Sequence, residues 1–245
     1  MARYFITLQY DGTAYHGWQI QPNAITVEET VENALATLLR QPVDIVGAGR
    51  TDTGVHARQM VAHFDWLSDL PMQTGQLVYK LNKILPHSIA IMKIEQVADD
   101  MHARFSAKAR TYHYYIHSQK DAFLNQHSHF ITYNLDYEKM NQGADIMKQY
   151  KDFESFCKSN SDVKTTLCEI YDAKWHLTSD STAYFSITAN RFLRNMVRAI
   201  VGTLIDVGRG KIELDELRRI IENKNRSTAG DSMPAKALFL ENIEY

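Results

Sequence analysis

Three stretches carry residues whose types and spacing suit chemistry. The first is Gly47 to Ala57, GAGRTDTGVHA. It follows a short apolar run, Val43-Asp44-Ile45-Val46, and sets Arg50 and Asp52 two positions apart among three glycines. Two common glycine-loop readings fail here. A phosphate loop needs Gly-Lys-Ser/Thr after its glycines, and a dinucleotide fingerprint needs a third glycine where Asp52 stands. A turn has no need of an Arg-Thr-Asp core for its own geometry. The stretch reads either as an ordinary tight turn with a solvated acid or as a charged pair presented at the end of a strand.

The second stretch is Arg191-Phe-Leu-Arg-Asn-Met-Val-Arg198. Its apolar spacing continues to Ile205 and predicts a helix from Phe192 to Val207. On that helix Arg191, Arg194 and Arg198 fall within about 60°, taking ~100° per residue. The stripe borders the apolar arc, so at least one guanidinium is expected to be partly buried and in need of a carboxylate. The third stretch, His102 to Tyr112, places Arg104, Lys108 and Arg110 just before Tyr112, Tyr114 and Tyr115. Basic and aromatic residues together suit phosphate contact and base stacking.

Other residues are less promising. His113, His117, His127 and His129 lack helical ligand spacing and a completing carboxylate or cysteine cluster, so no metal site is expected. Cys157 and Cys168 have no CxxC spacing and read as reduced, buried thiols. Asn225-Arg226-Ser227 matches a glycosylation sequon, which a cytoplasmic chain does not use.

The elements that must position these residues come in two similar sets. Arg3–Tyr10 reads as a strand and Thr26–Arg40 as a helix, with Thr26 and Glu29 as a capping pair. Val43–Val46 and Gln59–Asp65 read as strands, Gly75–Leu85 as a helix stopped by Pro86, and Ile89–Val97 as a strand. The order β-α-β-β-α-β then repeats. Arg110–His117 is a strand and Tyr137–Tyr150 a helix. Cys168–Leu177 and Thr182–Ala189 are strands, followed by the Phe192–Val207 helix, a further helix at Leu214–Glu222 and a closing strand at Leu238–Ile243. The fold class is α+β, with two ferredoxin-like halves split near Ala103–Ala107 and a cleft expected between them. The halves run over 1–104, carrying the Asp loop, and 105–245, carrying the Tyr strand and the Arg helix.

The 245 residues are 44% hydrophobic and 23% charged, normal for a soluble globular protein, and suffice for one large domain or two modest ones, each with its own core. No run approaches the ~18 apolar residues of a membrane span. The start, MARYFITLQYDG, alternates like a strand rather than a signal peptide, which places the protein in the cytoplasm. The net charge of −2 does not suggest a nucleic-acid binder, so RNA contact requires a local basic surface.

The combination of GRTDTGVHA, HARFSAKARTY and FLRNMVR followed by Gly202 closely resembles the tRNA pseudouridine synthase A family. YDGTAYHGWQ (Tyr10–Gln19) and LNKILP (Leu81–Pro86) match as well, in family order over nearly the whole chain. Thr53 stands where members often have alanine. The resemblance implies the pseudouridine synthase fold and the conversion of uridine to pseudouridine at positions 38 to 40 of the tRNA anticodon stem-loop. It implies no cofactor and no metal, and a homodimer with tRNA lying across both subunits. It assigns Asp52 as the catalytic acid, Tyr112 as the residue stacking on the target base and Arg198 as the partner of the acid. Arg50 would help hold the target nucleotide out of its stack. Arg104, Lys108, Arg110, Arg191 and Arg194 remain candidates for substrate contact. Whether the acid attacks C1′ or removes the 2′ proton stays open. The competing reading is a non-catalytic RNA-binding protein with two RRM-like halves; it lacks a full RNP1 run and leaves Asp52 without a role.

Overall fold

The computed structural model describes residues 2–67, 69–158 and 163–245. In chain order the elements are β1 (Ala2–Tyr10), α1 (Val27–Leu39), β2 (Val46–Gly47), β3 (His56–Trp66), α2 (Thr74–Ile84), β4 (Ile89–Val97), β5 (Ala109–His117), β6 (His129–Phe130), α3 (Tyr137–Met147), β7 (Ile170–Leu177), β8 (Thr182–Ala189), α4 (Met196–Gly208), α5 (Leu214–Glu222) and β9 (Leu238–Glu244). They form two compact units, Met1–Lys108 with Phe239–Tyr245, and Ala109–Leu238. No helix among the described residues is long and apolar enough to cross a membrane.

The first unit has the ferredoxin-like order. β1 lies between β4 and β3, antiparallel to both, and β2 pairs antiparallel with β3 at Val46↔His63 and Gly47↔Ala62. Thr26 caps α1 by accepting the Glu29 N–H, and α1 buries Val27, Val31, Leu35 and Leu39 at helical spacing. The strand expected at Val43–Val46 shrinks to Val46–Gly47, because the Ile45 N–H is taken by Glu32 Oε1 on α1 at 2.8 Å rather than by a neighbouring strand. β3 begins three residues earlier than expected: Ala57 pairs with Tyr10, and His56 and Ala57 run parallel to Phe239 and Leu240 of β9.

That last pairing changes the division of the chain. The expected boundary at 104/105 moves to Lys108/Ala109, and the closing strand joins the first unit instead of the second. Several contacts bind it there. The Lys108 N–H donates to the Glu244 carbonyl, Tyr245 Oη donates to the Ala103 carbonyl, and Arg58 pairs with Glu241 at 3.1 Å.

In the second unit β8 lies between β5 and β7, antiparallel to both, and β6 adds a short parallel pairing to β5. β8 alternates buried and half-buried residues along its whole length, with Ala183, Phe185, Ile187 and Ala189 inward. α3 and α4 pack on each other, Gly143 bringing α3 close to Leu204. α3 is shorter than expected because its last turn tightens into i→i−3 bonds at Gln149 and Tyr150. β7 starts at Ile170, not Cys168, because the Cys168 N–H bonds to the Lys151 carbonyl. α4 starts at Met196, four residues later than the apolar spacing predicts. Asn195 adopts a left-handed backbone with φ +67°, which no helix can pass through. Arg191 and Arg194 are therefore not on the helix, and the expected stripe of three arginines does not form.

Candidate functional site

The Asp52 loop is built by pressing two backbones together. Tyr10 Oη and Thr51 Oγ1 share a buried hydrogen bond of 2.9 Å, fixing the residue before Asp52. The Trp18 N–H donates to the Thr51 carbonyl at 3.3 Å, and the Gly54 N–H to the Tyr15 carbonyl at 3.3 Å. Glycine is required for this approach. A Cβ on Gly17, whose φ is +91°, would lie 2.4 Å from the Thr51 oxygen, and one on Gly12 would lie 2.0 Å from the Val55 oxygen. Within the loop the Val55 N–H closes a turn on the Asp52 carbonyl at 3.1 Å, with Gly54 at φ +76°. Asp52 is half-buried and Arg50 exposed.

Two further side chains brace the loop. Gly12 N–H donates to His56 Nδ1 at 3.0 Å. Asp11 Oδ1 is 3.2 Å from the same nitrogen, which cannot both accept from Gly12 and donate to Asp11. The backbone N–H is a fixed donor, so Nδ1 is the acceptor. Asp11 is instead satisfied by the Thr13 N–H and hydroxyl at 2.9 and 2.6 Å. Trp18 packs against Gly47, leaving no room for a Cβ, and its indole N–H donates to Glu28 Oε1 at 3.1 Å. Burial pushes the Glu28 carboxyl up, while the Ile20 N–H, the Trp18 indole and the Arg50 charge pull it back.

His63 holds the segment that carries Arg104 and Lys108. It is 4% exposed, and its Nδ1 accepts the Ala103 N–H at 3.2 Å. Burial, then the neighbouring Arg3 and His102 charges, lower its pKa from 6.5 to about 4, against the opposing pull of Asp65 and a hydrogen bond at Val46. The imidazole is thus a neutral pin between strands. Arg104 and Lys108 are exposed, and the Arg104 guanidinium lies 5.6 Å from the ring centre of the equally exposed Phe105.

Tyr112 and Arg198 belong to the second unit. Tyr112 stands opposite Ile187 on β8, half-buried, with its ring edge-on to Phe192 at 5.1 Å. Tyr114 is fully buried and donates its hydroxyl to the Pro234 carbonyl at 3.0 Å, so it offers no stacking face. Tyr115 lies on the opposite face of β5 from Tyr112, against Tyr184. Arg110 bonds the Asn190 carbonyl at 2.8 Å, and Arg191 the Thr165 carbonyl at 3.3 Å. Arg194 is exposed, and its carbonyl accepts the Lys158 N–H. Arg198, in the first turn of α4, is half-buried and donates Nε to the Met233 carbonyl at 2.6 Å. Cys157 and Cys168 are free and buried.

Sequence reasoning missed the segment that receives Arg198. Ala229 to Pro234 crosses α4 where Gly202 has no side chain: a Cβ there would lie 1.9 Å from the Asp231 oxygen. The second glycine of the crossing, Gly230, packs on Thr203 and donates its N–H to Thr203 Oγ1 at 2.9 Å. Two small residues at one helix crossing, Gly202 and Gly230, were the available signal.

Comparison with known proteins identifies the family. A family model described as tRNA pseudouridine synthase matches residues 6–106 and 150–245, which include Asp52 and Arg198. Tyr112 falls in the interval between, which full-length relatives cover. The tRNA pseudouridine synthase A of Bacteroides fragilis is 53% identical over 243 residues, spanning 99% of this chain and 96% of that protein. That of Porphyromonas gingivalis is 53% identical over 246 residues, 100% of this chain and 98% of the relative. That of Bacteroides thetaiotaomicron is 51% identical over 247 residues, 100% and 91%. The match spans both compact units and takes in the braced Asp52 loop and the Arg198 helix, and on these grounds the chain belongs to the tRNA pseudouridine synthase family, whose members are isomerases.

Proposed function

We propose that the chain isomerises uridine to pseudouridine at positions 38 to 40 in the anticodon stem-loop of tRNA. The full-length likeness to tRNA pseudouridine synthases carries this reading. A stem uridine hides its glycosidic carbon inside the stack, so the nucleotide must be flipped out at a cost of a few kcal/mol. Tyr112 stacks on the flipped uracil, Arg50 fills or guards the vacated place, and Asp52 acts on the ribose. The N1–C1′ bond breaks, the detached uracil turns, and a C5–C1′ bond forms; the C5 proton is lost to solvent and N1 takes one up. No atom is gained or lost. An acid kept ionised in a closed site needs a cation, and Arg198 supplies it. Arg104, Lys108, Arg110, Arg191 and Arg194 contribute phosphate contacts that offset the flipping cost. We read the working enzyme as a cytoplasmic homodimer with tRNA across both subunits, acting without metal or cofactor.

The test uses anticodon stem-loop transcripts carrying a single [5-³H]uridine at 38, 39 or 40. Tritium appearing in water from at least one of them, with chelator present, supports the reading. Tight binding of all three with no release would favour a non-catalytic RNA-binding role.

A further inference from the structure

Arg198 is gripped along one edge. Its Nε donates to the Met233 carbonyl at 2.6 Å, and the Met233 N–H donates back to the Arg198 carbonyl at 3.2 Å. Met233 sits in the strap that crosses α4, and the strap is itself anchored. Gly230 is fixed to Thr203, and the Pro234 carbonyl receives the Tyr114 hydroxyl. Between those anchors lies Ser232, whose Oγ accepts two donors. Arg226 Nη2 reaches it at 2.8 Å and Asn195 Nδ2 at 2.5 Å. Arg226 also donates Nη1 to the Gly230 carbonyl at 3.1 Å. Asn195 is the left-handed residue just before α4, three positions before Arg198.

A planar guanidinium meets a carboxylate through Nε with one terminal nitrogen, or end-on through both terminal nitrogens. The Met233 carbonyl occupies the Nε edge. We infer that Ser232, held by Arg226 and Asn195, is a positioning residue for Arg198: it keeps the Met233 carbonyl on Nε and so fixes the direction in which the two terminal nitrogens of the guanidinium are presented. This rests on the reading of Arg198 as the partner of Asp52. The role is one of alignment. The Gly230–Thr203 and Tyr114–Pro234 anchors survive without the Ser232 hydroxyl, so its loss loosens the strap beside Arg198 without detaching it.

The experiment is a double-mutant cycle on the full-length protein, Ser232→Ala against Arg198→Lys, read by single-turnover tritium release and by tRNA binding. Lysine keeps the charge but has no Nε for the Met233 carbonyl to fix. In the wild-type background Ser232→Ala slows the chemical step by about tenfold or more, the scale of a misplaced catalytic group. Its tRNA Kd stays within about twofold, and Ser232→Thr, which keeps the hydroxyl, restores most of the rate. In the Arg198→Lys background the same substitution changes the rate by less than about twofold, because the alignment it protects is already gone. An equal slowing in both backgrounds, or a slowing that tracks lost thermal stability, overturns the inference. Arg226→Gln gives a second, independent arm with the same expected pattern. An Arg198→Lys variant as fast as wild type would instead overturn the pairing of Arg198 with the acid, an outcome distinct from failure of the Ser232 role alone.

Discussion

Tyr10 and Thr51 join the end of β1 to the residue preceding Asp52 through one buried hydrogen bond of 2.9 Å. Both hydroxyls are out of water, so each needs a partner within the protein. Tyr10→Phe leaves the Thr51 hydroxyl without this one. The expected cost is about 1 to 2 kcal/mol of stability, with a fall in single-turnover rate and an unchanged tRNA Kd. Urea unfolding and tritium release check both. A variant with lowered stability but full turnover would show that the bond does not position the loop.

The glycines of the loop and its brace make opposite predictions. Gly17→Ala places a methyl 2.4 Å from the Thr51 oxygen at φ +91° and should destabilise by about 2 kcal/mol or more. Gly49 faces open space, where a Cβ would meet nothing within 4 Å, so Gly49→Ala should stay within about 0.5 kcal/mol of wild type. Equal melting temperatures for the two variants would contradict the close packing of the two backbones as the reason for Gly17.

His63 predicts a pH dependence of stability. Its pKa is about 4 in the fold against an ordinary 6.5, so the native state holds the neutral ring. Above pH 6.5 neither native nor unfolded chain carries the proton, and stability is complete. Between 6.5 and about 4 the unfolded chain takes up a proton that the native chain refuses, and stability falls by on the order of 2 to 3 kcal/mol from this group. Below that no further loss comes from it. Urea midpoints of wild type and His63→Gln from pH 7 to 4.5 test this: the wild-type curve should fall more steeply. Parallel curves would remove His63 as the cause.

Much of the architecture is written in local patterns. The α1 cap at Thr26, the β8 alternation and the Leu214–Glu222 helix depend on near neighbours in sequence, and the structure has them where the pattern puts them. The departures come from partners far away in the chain. Ile45 gives its N–H to Glu32, which shortens β2, and β9 returns to pair with β3. The start of α4 misleads for another reason. Phe192 and Leu193 continue the apolar spacing of the helix, and only the left-handed backbone of Asn195 breaks it. The Asp52 loop stood out because its glycines and charges are contiguous. The Ser232 strap did not, since its partners Asn195, Arg198 and Arg226 lie up to 37 positions away.

In the proposed reaction everything turns on the carboxylate of Asp52. The most direct test counts tritium released from [5-³H]uridine anticodon stem-loop tRNA by wild type and Asp52→Asn side by side. The predicted result is release by wild type and none above background by the variant, which should still bind tRNA within a few-fold. A variant that kept about a tenth or more of wild-type turnover would contradict the role of Asp52, because no uncharged amide replaces a carboxylate at the ribose with so small a loss.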